Sequence, residues 1–166
     1  LEAVIAVQAD LMVRWLLVGF IHGVMNTDNC SIAGETIDYG PCAFLDAYDP
    51  ATVFSSIDTG GRYAYGNQPT IALWNLTRLA EAMLPLFAEE SEAAVQKAQD
   101  ALAGFAPRFQ AGYDAGIARK LGLPGDSEAD TVLGAEFLGL LGAREADFTL
   151  TFRHLARLQA GRADEA

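Results

Sequence analysis

The chain has 166 residues, 51% of them hydrophobic and 20% charged, which suffices for one domain with a real core and is not a disordered or fibrous composition. Its formal net charge is −11, and residues 1–60 set eight acids against the single Arg14, so a nucleic-acid backbone or an anionic membrane is disfavoured as partner and a cation-collecting site is favoured. Two cysteines, Cys30 and Cys42, make neither a disulfide framework nor a four-ligand zinc set; they read as buried filler in a reducing, cytoplasmic compartment.

The chain opens in mid-pattern. Leu1, Val4, Ile5, Leu11, Met12, Trp15, Leu16 and Val18 recur at helical spacing with no capping signal before them, as at the edge of a fragment. The apolar stretch Leu11 to Ile21 is broken by Arg14, is too short to span a bilayer and lacks a signal peptide's flanks, so it reads as a core helix. Without secretion, the sequons at Asn29 and Asn75 are accidental. Cys30 to Ile37 has the form of a small hairpin turning at Ala33-Gly34. Residues 42–66, with Pro50, Gly60-Gly61 and several acids, read as a long ordered loop. Pro69 suits a first helical turn, and Ala72, Leu76, Leu79, Met83 and Leu86 continue a helix. Three further helices are expected over roughly 90–121, 127–142 and 147–160, with Asp126 and Asp147 as candidate N-caps.

The polar, acid-rich part is thus confined to residues 22–66, and within it HGVMNTDN (22–29) follows directly on the apolar helix. Aligned on the protein-kinase catalytic loop H-R-D-x-x-x-x-N, His22 takes the first position and Asn29 the last, while Asp38-Tyr39-Gly40 falls where a kinase has D-F-G. Magnesium needs few protein ligands when phosphates and waters complete its shell, so one amide oxygen and one carboxylate, Asn29 and Asp38, suffice. Val24 stands where the kinase base would be, and Asp28 is the nearest carboxylate able to replace it. The other polar residues have structural readings: His22 as a core histidine, Asp46, Asp49 and Asp58 as turn formers, Arg62 and Tyr63 as anchors of the loop to the next helix, Trp74 and His154 as packing residues.

HGVMNTDN, ETIDYGP, FLDAYDP and GRYAYGNQPTIALWNLTRLAEA, in order and at near-constant spacing, together resemble the selenoprotein O family of kinase-like protein adenylyltransferases; the likeness is clearest over residues 17–86 and continues through EADFTLTFRHL to about 155. The resemblance implies a mostly α fold, the C-lobe of a kinase-like domain over residues 1–166: catalytic-loop equivalent 22–29, D-F-G equivalent 38–40 with a hairpin beside it, activation-segment-like loop 42–66, helices over 67–160. It implies transfer of AMP from ATP, bound in a flipped orientation, to Ser, Thr or Tyr hydroxyls of proteins, with Mg²⁺ (or Mn²⁺) on Asn29 and Asp38 and Asp28 as base. The family's glycine-rich loop, its phosphate-contacting Lys, the Glu partner and the nucleotide-gripping arginines have no counterpart here, so the segment alone is expected to be inactive, and its uncovered apolar surface to favour self-association. Kinase-type γ-phosphoryl transfer serves the same metal pair, though Val24 counts against it, and a non-catalytic pseudokinase module is the other alternative. An EF-hand fails on ligand alternation and on the missing Glu at the twelfth position.

Overall fold

A computed structural model describes residues 1–159; residue 160, the end of the expected last helix, lies outside them. The chain is mostly helical: α1 (Glu2–Leu17), β1 (Phe20–Ile21), β2 (Ala43–Phe44), α2 (Gln68–Phe87), α3 (Ser91–Leu102), α4 (Phe105–Lys120), α5 (Glu128–Ala143) and α6 (Phe148–Gln159). Ile5, Ala9, Met12, Trp15 and Leu16 bury the inner face of α1, which packs against α2, α3, α4 and β1 and so forms the spine of the core. Its closest partner is α4, whose Gly112 and Gly116 face Val13 and Leu17; a Cβ on Gly116 would collide with Leu17 Cδ1. Two glycines one turn apart therefore let the two backbones approach.

Helix ends follow local chemistry. Pro69 occupies the first turn of α2, where its missing N–H costs nothing, and Pro85 lies inside the last turn, where it removes one N–H from the ladder. Asp147 Oδ1 accepts from Leu150 N at 2.7 Å and caps α6 as expected, whereas α5 is capped by Ser127, whose hydroxyl accepts from Asp130 N at 3.2 Å, and not by Asp126. The single helix expected over 90–121 is two helices. Gly104 and Pro107 lie three residues apart, one unable to hold a helix together and the other suited only to a first turn, and the chain redirects there from α2 onto α1.

The hairpin expected over residues 30–37 does not form. Only a turn, Gly34 N to Ser31 O at 3.1 Å, remains of it. Side chains claim its polar groups instead: Gln8 Nε2 donates to Ser31 O at 2.7 Å, Trp15 Nε1 to Thr36 Oγ1 at 2.9 Å and the His22 ring to Ile37 O at 2.8 Å. The segment is strapped along α1, and Gly34, at φ +72°, lies against Val7. The antiparallel pair that does form joins β1 to β2, Phe20 opposite Phe44 and Ile21 opposite Ala43, and so brackets residues 22–42 between them.

The loop over 42–66 is ordered. Leu45 N donates to Gly19 O at 2.8 Å, Phe148 N to Asp46 O at 2.8 Å and Tyr48 N to Ala146 O at 2.9 Å, which ties its first half to the turn after α1 and to the α5–α6 junction. Asp49 and Asp58 hold turns through their carboxylates, as expected; Asp46 acts through its backbone. The buried Tyr65 closes the far end by donating its hydroxyl to Leu16 O.

Replacing Gly34 by Ala puts a methyl carbon 2.8 Å from Val7 Cβ on a backbone that L residues avoid. The expected loss is about 1–3 kcal/mol in urea unfolding, and an unchanged midpoint would mean that residues 30–37 are not held on α1.

Candidate functional site

After α1 ends, Gly19 at φ +72° turns the chain into β1, and His22 follows with 1% of its surface exposed. Its backbone N–H donates to Gln68 Oε1 at 2.9 Å and its Nε2 lies 2.8 Å from Ile37 O. A carbonyl only accepts, so Nε2 carries the proton, which leaves Nδ1 to receive the long contact from Val24 N at 3.4 Å. Trp15 stacks on the imidazole with centroids 5.4 Å apart. The histidine is thus an architectural clamp between residues 22 and 37, in keeping with its structural reading.

A second tie lies one residue on. Gly23, at φ +85°, sits against Pro41, and an added Cβ would be 3.0 Å from the Pro41 carbonyl oxygen. Contacts at 22–37 and 23–41 fix both ends of Asp38-Tyr39-Gly40 to the start of the 22–29 loop. Asp38 itself is exposed and adopts φ +54°, a left-handed conformation that Asp tolerates better than most residues, stabilised by a tight turn in which Gly40 N donates to Asp38 O at 2.8 Å. Asn29 closes a single 3₁₀ turn, Thr27–Asn29, and its Nδ2 folds back onto Val24 O at 3.1 Å. Asp28 lies in the same turn with its side chain in solvent. No hydrogen bond joins Asn29, Asp28 and Asp38 to one another among the described residues; a contact path through Val24, His22 and Ile37 links them.

Two of the three residues that support this loop, Gln68 and Asn75, carry no sequence signal for that role. Gln68, fully buried, spends its amide on β1 and the loop: Oε1 accepts from His22 N, and Nε2 donates to Phe20 O at 2.9 Å and to Tyr65 O at 3.3 Å. Asn75, 8% exposed and so closed to a glycan, donates to Met25 O and to Cys30 Sγ, both at 3.0 Å. Its Oδ1 is buried without a hydrogen-bond partner and borders a cavity of about 270 Å³ between α1, α2 and Thr27, Cys30 and Ile32. Tyr63 donates its hydroxyl to Asn26 Oδ1 at 2.6 Å, so it anchors the long loop to residues 22–29; Arg62 alone reaches α2, by stacking on Trp74. A glutamine or asparagine inside a helical pattern looks like a solvated face, which is why the sequence hides such roles.

Both cysteines are free thiols and half-buried, not enclosed. Burial pushes the Cys30 thiol up from 9.0; the Asn75 hydrogen bond lowers it and the nearby Asp28 charge raises it further. Among the described residues, no cluster of three or more His, Cys, Asp or Glu side chains could hold an ion by itself. The donor set nevertheless suits a hard cation completed by phosphates and water. With Asn29 Nδ2 committed to Val24 O, the side-chain oxygens of Asn29 and Asp38 have no hydrogen-bond donor among the described residues. No helix of the described residues is long and apolar enough to cross a membrane. Ile37, Tyr39, Phe44 and Val18 are exposed around this site, with Tyr39 and Phe44 edge-on to Phe20.

Two outcomes follow from these contacts. Gln68→Leu leaves His22 N and Phe20 O buried and unpaired, and should cost about 2–4 kcal/mol in chemical denaturation, against almost nothing if the amide were solvated. In a Cys42→Ser background, iodoacetamide should label Cys30 with a pH midpoint above 9.0, because the thiolate is the nucleophile and its formation is resisted by burial. A midpoint at or below that value would contradict the burial of the thiol.

The model of the family described as "Protein adenylyltransferase SelO" matches residues 1–166. Among curated proteins the chain is similar to "Protein nucleotidyltransferase YdiU" of Methylorubrum extorquens (strain PA1), 64% identical over 161 residues and covering 97% of this chain and 32% of that protein. The same name belongs to relatives from Rhodopseudomonas palustris (strain BisB5), 64% identical over 156 residues, and Bradyrhizobium diazoefficiens, 63% over 155 residues, covering 94% and 93% of this chain and again 32% of each relative. The chain therefore spans 32% of the length of these curated relatives. With the family model matched from end to end, the chain belongs to the SelO protein adenylyltransferase family.

Proposed function

We propose that this segment is the C-lobe equivalent of a kinase-like protein adenylyltransferase, which transfers AMP from ATP to Ser, Thr or Tyr hydroxyls of protein acceptors. The observation that carries the reading is the double tie, His22 to Ile37 and Gly23 to Pro41, which holds Asp38 beside the loop that bears Asp28 and Asn29 in a chain of this family.

In this reading Asn29 Oδ1 and an Asp38 carboxylate oxygen hold a divalent cation, Mg²⁺ or Mn²⁺. When bound, that ion neutralises and orients the phosphates of ATP. The rigid part of the work belongs to the protein: Gln68, His22 and Asn75 fix the loop so that its oxygens need no reorganisation as charge develops. Asp28, exposed and next to Asn29, receives the acceptor hydroxyl's proton as that oxygen attacks the α-phosphorus and pyrophosphate leaves. Val24, half-buried and apolar, occupies the position of a kinase's base and cannot serve. The exposed Val18, Ile37, Tyr39 and Phe44 are the wall on which the rest of the polypeptide closes the nucleotide cleft. The segment alone supplies one side of that cleft and, with its net charge of −11, repels ATP unless a cation bridges them.

The test uses the full-length protein with α-labelled ATP and a protein acceptor. Asp38→Ala should lower label transfer by about 100-fold or more and weaken Mg-ATP binding, while Asp28→Ala should lower turnover by about 100-fold with Mg-ATP affinity nearly intact. Transfer of γ-label instead of α-label would overturn the adenylyl reading. Equal loss of Mg-ATP affinity in both variants would move Asp28 into the metal shell.

A further inference from the structure

Trp74, on the outer face of α2, is 41% exposed and lies between two guanidinium groups: Arg62 Cζ is 4.7 Å and Arg78 Cζ 5.1 Å from its ring centroid. Arg62 also stacks on Tyr63, at 5.7 Å. Stacking fixes the plane of a guanidinium and leaves its N–H edge free to meet a carboxylate in two-pronged fashion. The nearest acid in sequence is already occupied, because Asp58 accepts from the backbone N–H groups of Arg62 and Tyr63, both at 2.8 Å. Among the described residues Arg62 has no carboxylate within ion-pair distance, and its side-chain N–H groups donate to nothing. Arg78 pairs only with Glu81, an exposed neighbour one turn away at 2.8 Å, and such a pair contributes little. A cationic ridge whose single ion pair among the described residues is an exposed one stands out in a chain of net charge −11 whose first 60 residues hold a single arginine.

Its position is as informative as its charge. The Tyr63 hydroxyl, beside Arg62, donates to Asn26 Oδ1, two residues before Asp28. Arg78 also borders the cavity that Thr27 and Cys30 line from the other side. Anything held on the ridge therefore lies next to the 22–29 loop. We infer that Arg62, Trp74 and Arg78 form a docking surface for an acidic stretch of the protein acceptor, the carboxylates pairing with the two guanidiniums while apolar side chains rest on the exposed indole; this rests on the adenylyl-transfer reading above. A nucleic acid would bring many phosphates against a strongly acidic molecule, whereas one or two carboxylates on a protein segment match two arginines.

The experiment takes the full-length protein without nucleotide and two fluorescein-labelled peptides, identical around one Ser except that one has Glu and the other Lys on both flanks. The Glu peptide should bind, increasingly weakly as salt is raised, and Arg62→Glu together with Arg78→Glu should weaken it about tenfold or more, with the far-UV spectrum unchanged. In transfer assays Arg62→Ala should raise KM for an acidic acceptor about fivefold and leave kcat and the KM for ATP unchanged. Equal binding of the two peptides, indifference of the Glu peptide to both charge reversals, or loss of ATP binding in their place would overturn the inference. So would a Trp74 that acrylamide cannot quench in the acceptor-free protein, since the ridge would then be covered by the enzyme's own chain. The peptide assay needs no catalysis, so docking that persists in a protein transferring no α-label would leave the ridge standing and refute the transfer chemistry alone.

Discussion

Everything in the polar half of this protein depends on one buried carboxamide. Gln68 opens α2 and is inaccessible to solvent, yet its three hydrogen bonds all run outward from the helix, to the two residues that lead into the 22–29 loop and to Tyr65 at the end of the long loop. Each such bond contributes about 1 kcal/mol net, but leaving its partner unpaired in the interior costs more, and this asymmetry makes the joint specific. The joint is also neutral. A buried carboxylate there would have tied the loop's position to pH and ionic strength; an amide does not.

The same logic recurs elsewhere. Asn75 holds the middle of the loop, the His22 ring holds Ile37, and the Trp15 indole holds Thr36. Charged groups are left at the rim: Asp28 and Asp38 in solvent, the Arg62–Trp74–Arg78 stack on the outer face of α2. One cation is used inside. Lys120 donates to Leu17 O, the final carbonyl of α1, at 2.7 Å and lies over the rings of Phe148 and Phe152, where half-burial lowers its pKa while the helix terminus and the ring faces favour the ammonium.

How much of this could be read beforehand divides along physical lines. Helices with a continuous apolar stripe were legible: α1 from Ile5 to Leu16, α2 from Pro69 through Ala80, α6 behind its Asp147 cap. The four ordered motifs fixed the family. What failed was whatever depends on contacts distant in sequence. Residues 30–37 have the composition of a hairpin, but Gln8, Trp15 and His22 offer their polar groups partners that no local pattern encodes. The β1–β2 pair is two residues on each side, too short for any alternation to register. The break at Gly104 was legible in principle, with Pro107 behind it, and Ser127 outcompeted Asp126 by a one-residue margin that boundary reading rarely resolves. Asp28, Asn29 and Asp38 were singled out by motif alone; the groups that support them were invisible because a structural amide and a solvated one are the same letter.

The bonds from Asp46 to Phe148 and from Tyr48 to Ala146 set an order of events on the ribosome. They join residues about a hundred positions apart, so in a nascent chain Asp46 O and Tyr48 N must wait for α4, α5 and the start of α6, while Phe44 and Leu45 can already meet Phe20 and Gly19. The eight acids of residues 1–60, set against one arginine, lie in the same stretch, where like charge disfavours the association of such partly folded segments.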